Sequence, residues 1–184
     1  MLYVLLAVLA VVALVLIIAA QKPDRFRTER SALIDAPAER IFPMINDFRA
    51  WPAWSPWEKK DPGMKRSLSG AEAGPGSVYA WDGDRNIGAG RMEILETTAP
   101  ERVTIQLDFI RPFKARNTAE FTLKPEGAST RVTWAMFGPQ PFVGKLISMF
   151  IDCDRMVGKE FETGLANLKA EAGRGAPGEG RAAA

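Results

Sequence analysis

Tyr79 is the residue in this sequence whose side chain comes nearest to that of a catalyst. It lies in a segment with a period of two, and Trp81 shares its phase, so both rings are expected on one face of a strand. If that face borders a cavity, the phenol could donate a proton to a ligand or hold its carbonyl oxygen. The alternative is a tyrosine with its ring in the core and its hydroxyl at the rim. Asn117, in phase with Phe121, is a second polar residue that could orient a ligand.

Most of the side chains that hydrolases and metalloenzymes depend on are missing. The sequence contains no histidine, which removes the usual general base at neutral pH, the Ser-His and Cys-His pairs and most zinc sites. The single cysteine, Cys153, falls at helical spacing among apolar residues, so we expect a small buried side chain rather than a reactive thiol. We therefore expect no metal, no cofactor and no catalytic residue beyond the weak candidate Tyr79.

Two glycine-containing segments resemble ligand loops but are better explained as structure. Asp82 to Asn86 together with Glu93 fits the spacing of a calcium loop, yet Ile87 stands where the sharp turn needs glycine. Gly88-Ala89-Gly90 lacks the third glycine of a dinucleotide-binding loop. We expect a hairpin turn between two strands here.

The charge balance argues against nucleic acid as a partner. The chain has 24 basic and 22 acidic residues, a formal net charge of +2. The two signs are interspersed, and no basic run is interleaved with aromatic residues, as a nucleic-acid surface would require.

Residues 1–20 are predicted to form a transmembrane anchor. They carry no charged side chain, and a helix of this length is roughly 30 Å long, about the thickness of the hydrocarbon core of a bilayer. A cleaved signal peptide is the alternative, but it needs a basic segment before the apolar one, which is absent. A cut after Ala20 would also place Ile18 where a small residue is required.

The residues that follow the anchor predict its orientation. Four basic side chains lie just beyond it, at Lys22, Arg25, Arg27 and Arg30, whereas only the α-amine precedes it. The positive-inside tendency therefore places the rest of the chain in the cytoplasm, beside the inner (plasma) membrane.

Beyond a linker at residues 21–24, alternating apolar and polar residues predict an antiparallel meander. A short helix opens at Ala36-Pro37, and a long amphipathic helix is predicted from Phe142 to about Ala170. Residues 172–184 read as a disordered tail. The predicted strands are 25–35, one after Met64, 77–82, 87–97, 102–110, 115–124 and 130–137.

Several short motifs keep a fixed order along the chain. They are Ala36 to Phe42, Trp51 to Trp57, Asp61-Pro62, Met64, Gly74-Pro75-Gly76, Tyr79-Ala80-Trp81, Val132-Thr133-Trp134 and Met156 to Lys159. In this order, over about Arg25 to Glu171, the chain resembles the START-like (SRPBCC) superfamily, and most of all a bacterial polyketide cyclase/dehydrase-like subgroup with an N-terminal membrane anchor.

The resemblance implies an α+β helix-grip fold. A curved antiparallel sheet of about seven strands, spanning residues 25–171, would wrap around the long C-terminal helix, preceded by one transmembrane helix. It also implies a deep apolar cavity between sheet and helix for hydrophobic ligands. Only some members of the superfamily catalyse reactions, and the fold alone does not choose among them.

The expected cavity lining combines the tryptophan segment with inward-facing residues of the sheet and the last helix. We expect Trp54 and Trp57 to face the pocket, whereas Trp51 could only cap the preceding helix. The predicted ligand-binding residues are Trp54, Trp57, Tyr79, Trp81, Met92, Phe109, Asn117, Phe121, Trp134 and Phe150.

The function expected is a membrane-anchored module that binds a hydrophobic small molecule or lipid. One alternative is a cyclase or dehydratase acting on a polyketide-like substrate, with Tyr79 as its catalyst. The other is a non-catalytic module that binds a protein partner through the outer face of the sheet and has a filled core.

Overall fold

A seven-stranded sheet forms the centre of the computed structural model, which describes residues 1–174. Neighbouring strands are all antiparallel, in the order β1-β7-β6-β5-β4-β3-β2. The predicted strands are confirmed, and the ends of the six strands with predicted bounds differ from the prediction by at most two residues. The strands are β1 (Arg25–Ile34), β2 (Lys65–Gly70), β3 (Ser77–Asp82), β4 (Ala89–Thr98), β5 (Arg102–Arg111), β6 (Ala115–Glu126) and β7 (Ser129–Pro139).

Five α-helices accompany the sheet in the described part of the chain. They are α1 (Leu2–Gln21), α2 (Ala38–Asn46), α3 (Trp51–Trp54), α4 (Phe142–Ile147) and α5 (Cys153–Gly173), with 3-10 turns at Phe48–Ala50 and Pro56–Lys59. Among residues 1–174, α1 is the one helix long and apolar enough to cross a bilayer, judged by length and composition. The helix α5 extends two residues beyond 171, and residues 175–184 of the predicted tail lie outside the described residues.

The segment that resembled a calcium loop is the hairpin turn that the sequence predicts. The Asp84 carboxylate accepts hydrogen bonds from the backbone N–H groups of Asn86 (2.8 Å) and Ile87 (3.0 Å). Gly88 then adopts a positive φ of 69°, which glycine tolerates without a steric cost. The Asp84 carboxylate thus stabilises the turn in which it lies. The same backbone N–H groups hold the pKa of Asp84 below its ordinary range.

The long C-terminal helix is not continuous, which corrects the prediction of a single helix from Phe142. Helix α4 ends at Ile147, and α5 begins after Asp152, whose side chain accepts a hydrogen bond from the backbone N–H of Arg155 (2.9 Å). This N-cap starts a new helix after a break of five residues, 148–152. Two residues therefore leave the inward face: Cys153 is exposed, and Phe150 is 79% exposed.

The core lies between the concave face of the sheet and helices α2 and α5. Inward residues of β5, β6 and β7 alternate with polar ones, as predicted, and Val103, Phe121 and Val132 have no exposed surface. The outer side of α5 is tied to β1 by Arg30, whose guanidinium reaches Asp154 and Glu162 at 2.9 Å each. These ion pairs hold the N-terminal half of α5 against β1.

A candidate apolar ligand site at the open end of the sheet

The tryptophan segment closes the C-terminal end of helix α2. The last four carbonyl groups of a helix have no partner within it. Here Trp54 Nε1 donates to the Met44 carbonyl at 2.9 Å, and Trp51 Nε1 donates to the Ile45 carbonyl at 3.0 Å. The backbone N–H of Asp47 donates to the Pro43 carbonyl, and that of Gly74 donates to the Asn46 carbonyl. Both tryptophans therefore cap the helix, whereas the sequence predicted such a role for Trp51 alone.

Aromatic rings from the tryptophan segment, β6, β7 and α5 together fill the inner half of the space between the sheet and α5. Trp134 on β7 stacks on Phe161 of α5, with ring centroids 4.3 Å apart and planes 8° apart, and on Phe121 of β6 at 4.7 Å. Trp54 meets the edge of Trp134 at 5.7 Å. Gly164 of α5 lets the Trp134 ring lie against the helix, since a Cβ at this position would lie 2.7 Å from the ring.

Three of the predicted ligand-binding residues belong to this packed half. Trp54, Phe121 and Trp134 expose 0%, 0% and 3% of their surface. The three rings are therefore core side chains in this structure. The Nε1 of Trp134 is buried and makes no hydrogen bond within residues 1–174, so it is the one polar group of this stack that a ligand acceptor could satisfy.

The other half of the concave face is less covered. Val103, Ile94 and Ile105 are fully buried at the inner end of β4 and β5, but further along the same strands Met92, Leu107 and Phe109 are only partly buried. The partly buried residues follow the strands toward the end of the sheet where α1 joins it. We call this region the open end; it comprises the partly buried Trp81, Met92, Leu107 and Phe109 together with the buried Asn117 and Met136 beside them.

Two glycines shape the open end. Trp81 lies across Gly90, its partner in β4, where a Cβ would come within 2.4 Å of the indole. Gly138 leaves room for the Asn117 side chain, since a Cβ at Gly138 would lie 2.3 Å from Asn117 Oδ1. Trp81 also meets Phe109 edge to face, with centroids 6.0 Å apart. Four of the ten predicted ligand-binding residues, Trp81, Met92, Phe109 and Asn117, thus lie near one another on the concave face.

Tyr79 takes part in a buried polar cluster beside the open end. Its hydroxyl donates to Glu58 Oε1 at 2.5 Å, and Arg66 Nε lies 2.6 Å from Glu58 Oε2. Burial, and then the bond to Glu58, raise the pKa of Tyr79 well above its ordinary value. The phenol is thus a poor proton donor, while its oxygen lone pairs remain able to accept a hydrogen bond from a ligand.

Glu58 is the residue of this cluster that the sequence reasoning missed. It follows Trp57 directly and is 9% exposed, an unusual position for a carboxylate. Its partners come from β2 and β3, so no local spacing marks it. The only sequence signal was a glutamate directly after the apolar, proline-stiffened segment, at the start of a short charged run.

The remaining two predicted site residues lie at the margins. Trp57 is partly buried and meets Trp134 at 5.4 Å and Phe161 at 6.2 Å, edge to face in both cases. Phe150 lies outside the interior, in the turn between α4 and α5, and does not face the other nine candidates. Its predicted position on the inward face is wrong because the helix breaks there.

Two depressions on the surface lie away from this site. One runs along α1 beside Tyr3, Val8 and Val12. The other, of about 200 Å³, lies between the 3-10 turn at Phe48–Ala50 and the edge strand β2, and is lined by Phe48 and Leu68. Neither includes a residue of the open end.

Comparisons with known proteins agree with this architecture. Residues 25–173 match the family described as polyketide cyclase / dehydrase and lipid transport. The chain belongs to this family. No curated protein matches the sequence.

Solved structures similar to this chain show the same fold at low sequence identity. Protein CV1439 from Chromobacterium violaceum is 17% identical, with a TM-score of 0.56 over 82% of this chain and 98% of that one. MLL2253 from Mesorhizobium loti is 15% identical, with a TM-score of 0.58 over 79% and 95%. Major latex-like protein 151 from Panax ginseng is 14% identical, with a TM-score of 0.58 over 82% and 99%.

The family and its helix-grip fold support a module that binds hydrophobic ligands or acts as a cyclase. In this member of the family, aromatic rings fill the inner half of the space between sheet and helix, and the less covered part of the concave face is the open end.

Proposed function

We propose that this protein is a membrane-anchored binding module for a hydrophobic small molecule or lipid. The observation that carries the proposal is the change in burial along the concave face. Apolar residues are fully covered at the inner end and partly exposed at the open end, where Met92, Leu107 and Phe109 lie. Apolar surface of this kind gains about 25 cal/mol per Å² when a ligand covers it.

The position of the anchor supports a ligand drawn from the membrane. The last turn of α1 packs on α4, where Ala19 has no exposed surface. Lys22 Nζ then bonds to the backbone and hydroxyl oxygens of Ser148 at 3.0 Å each, and Lys145 Nζ bonds to Asp24 at 2.6 Å. With α1 in the inner membrane and the domain on the cytoplasmic side, the open end would lie next to the bilayer, in which apolar molecules partition.

Native mass spectrometry of the full chain, purified from its host in mild detergent, tests this function. We expect a co-purifying apolar molecule, or uptake of one from a total lipid extract. Only apo protein, with no uptake from the extract, would remove the support for a binding module. A co-purifying protein in place of a small molecule would favour the partner-binding alternative, which the filled inner half also fits.

The polar cluster favours an enzyme as the second candidate function. Tyr79 and Glu58 border the open end, so a polyketide-like substrate could meet a phenol and a carboxylate there. Tyr79→Phe would then abolish turnover of a poly-β-carbonyl substrate without weakening its binding. Equal loss of binding and turnover would assign Tyr79 to ligand recognition instead.

A further inference from the structure

Apolar side chains crowd one corner of the domain surface. Six of them are largely exposed although they are large and hydrophobic, with exposed fractions of 44% to 79%. We call them the apolar corner; it comprises Phe113, Phe142, Val143, Phe150, Ile151 and Met156. Large apolar side chains that stay exposed together at one end of a domain mark a candidate interaction site.

The strand register places the two parts of the corner at the same end of the sheet. The hairpin between β5 and β6 carries Phe113, and β6 leaves it beside the end of β7, since Thr118 pairs with Phe137. The end of β7 leads directly into α4, and Arg25 at the start of β1 pairs with Pro139. The chain therefore leaves α1 at the end of the sheet that carries the corner.

One side chain, Lys22, indicates the depth at which the apolar corner would lie in a membrane spanned by α1. Lys22 is the first charged residue after the apolar helix, so it marks the level at which α1 would leave the hydrocarbon core. Lys22 bonds to Ser148, two residues before Phe150. A transmembrane α1 would thus hold the turn between α4 and α5 at the headgroup level.

Charged residues near the corner fit an anionic surface. Lys114 follows Phe113 directly, and Arg155 lies one residue before Met156. Both are exposed, and neither makes an ion pair with another residue of 1–174. Asp152 and Asp154 lie nearby, but the first caps α5 and the second pairs with Arg30. The free cations can therefore contact lipid phosphates.

We infer that the apolar corner inserts into the interfacial region of the membrane that α1 spans. This inference rests on the anchoring in the proposed function and adds a second contact with the same bilayer. Aromatic and aliphatic side chains of this kind enter the boundary between headgroups and acyl chains. The inserted corner would fix the tilt of the domain and turn the open end of the sheet toward the lipid.

The native Cys153 supplies a reporter for the test. It is the single cysteine of the chain, it is exposed, and it lies between Ile151 and Met156. We would label it with a fluorophore sensitive to its environment, using the full chain in nanodiscs of phosphatidylcholine and phosphatidylglycerol. The matched control carries Cys153→Ala with Ala128→Cys, which moves the label to the exposed turn at the opposite end of the sheet.

Nitroxide-bearing lipids then measure contact with the bilayer. We expect strong quenching and a blue shift for the label at position 153, and neither for the label at position 128. Phe150→Glu combined with Ile151→Glu should reduce the quenching at position 153. A label at position 153 that is unquenched in the incorporated protein overturns the inference, and a blue shift without lipid quenching would point to a second copy of the chain or a protein partner.

The anchor itself is checked separately by carbonate extraction of host membranes. Protein that stays in the membrane pellet but shows no quenching at position 153 contradicts the apolar corner alone. Protein released by carbonate contradicts the anchoring, and with it both the proposed location and this inference.

Discussion

Replacing Trp54 by phenylalanine should destabilise the domain more than the same change at Trp57. Trp54 has no exposed surface, and its Nε1 donates to the Met44 carbonyl at the end of α2. Phenylalanine leaves that carbonyl without its partner, which costs about 1–3 kcal/mol. The smaller ring also leaves a void in the packed stack, worth roughly 1 kcal/mol more. At roughly 2–4 °C per kcal/mol for a domain of this size, the Tm should fall by about 4–16 °C.

Trp57→Phe is the matched control because it removes an indole N–H from the same segment. Trp57 is partly buried and its Nε1 makes no hydrogen bond within residues 1–174, so we expect a loss of about 1 kcal/mol or less. Thermal unfolding of the full chain in detergent, followed by far-UV circular dichroism, measures both variants. Equal destabilisation by the two changes would refute the helix-capping role assigned to the tryptophan segment.

Two further perturbations test the polar cluster and the shape of the open end. Tyr79 is protonated in the folded state and its pKa is raised there, so its contribution to stability is complete below about pH 10 and is lost as the pH rises toward the folded value. The free energy of unfolding of the wild type should therefore fall above about pH 10 relative to that of Tyr79→Phe, and identical pH profiles would contradict the raised pKa. Gly138→Ala should destabilise by about 1–3 kcal/mol through overpacking against Asn117. Adding Asn117→Ala should restore part of this loss in urea unfolding, and a purely additive double variant would count against the contact.

The strands and the faces of the sheet follow from the sequence because they depend on local alternation. Val103, Ile105 and Leu107 share a phase, and each faces inward as the period of two requires. The turn at Asp84 is similarly local, since one carboxylate closes it through its own neighbours. The family resemblance, which rests on the order of such local segments, is confirmed over residues 25–173.

The errors come from features that periodicity does not encode. Apolar residues continue at helical spacing through Met149 and Phe150, so the pattern alone predicts one helix. A new helix instead begins at the N-cap Asp152. A capping residue inside an amphipathic pattern is the sequence signal that would have predicted this break. The cluster of Glu58 with Tyr79 joins residues 21 positions apart on different elements, which only the tertiary fold brings together.

The packing of the tryptophans was only partly predictable. Their crowding marked the segment, and the capping role proposed for Trp51 agrees with its bond to Ile45. Whether Trp54 faces a cavity or the core depends on how α5 approaches. The approach is close because Gly164 lets the Trp134 ring lie against the helix. A single glycine in the sequence does not predict such a contact.

Filling the open end of the sheet with one side chain tests the central claim most directly. Leu107 lies between Met92 of β4 and Asn117 of β6 on the concave face, and its neighbour Gln106 faces outward. Leu107→Trp and Gln106→Trp add similar bulk to the same strand on opposite faces. In uptake of a fluorescent fatty acid by the full chain in nanodiscs, the account predicts loss of binding for Leu107→Trp and wild-type binding for Gln106→Trp. Undiminished binding by a folded Leu107→Trp variant would contradict a ligand site at the open end.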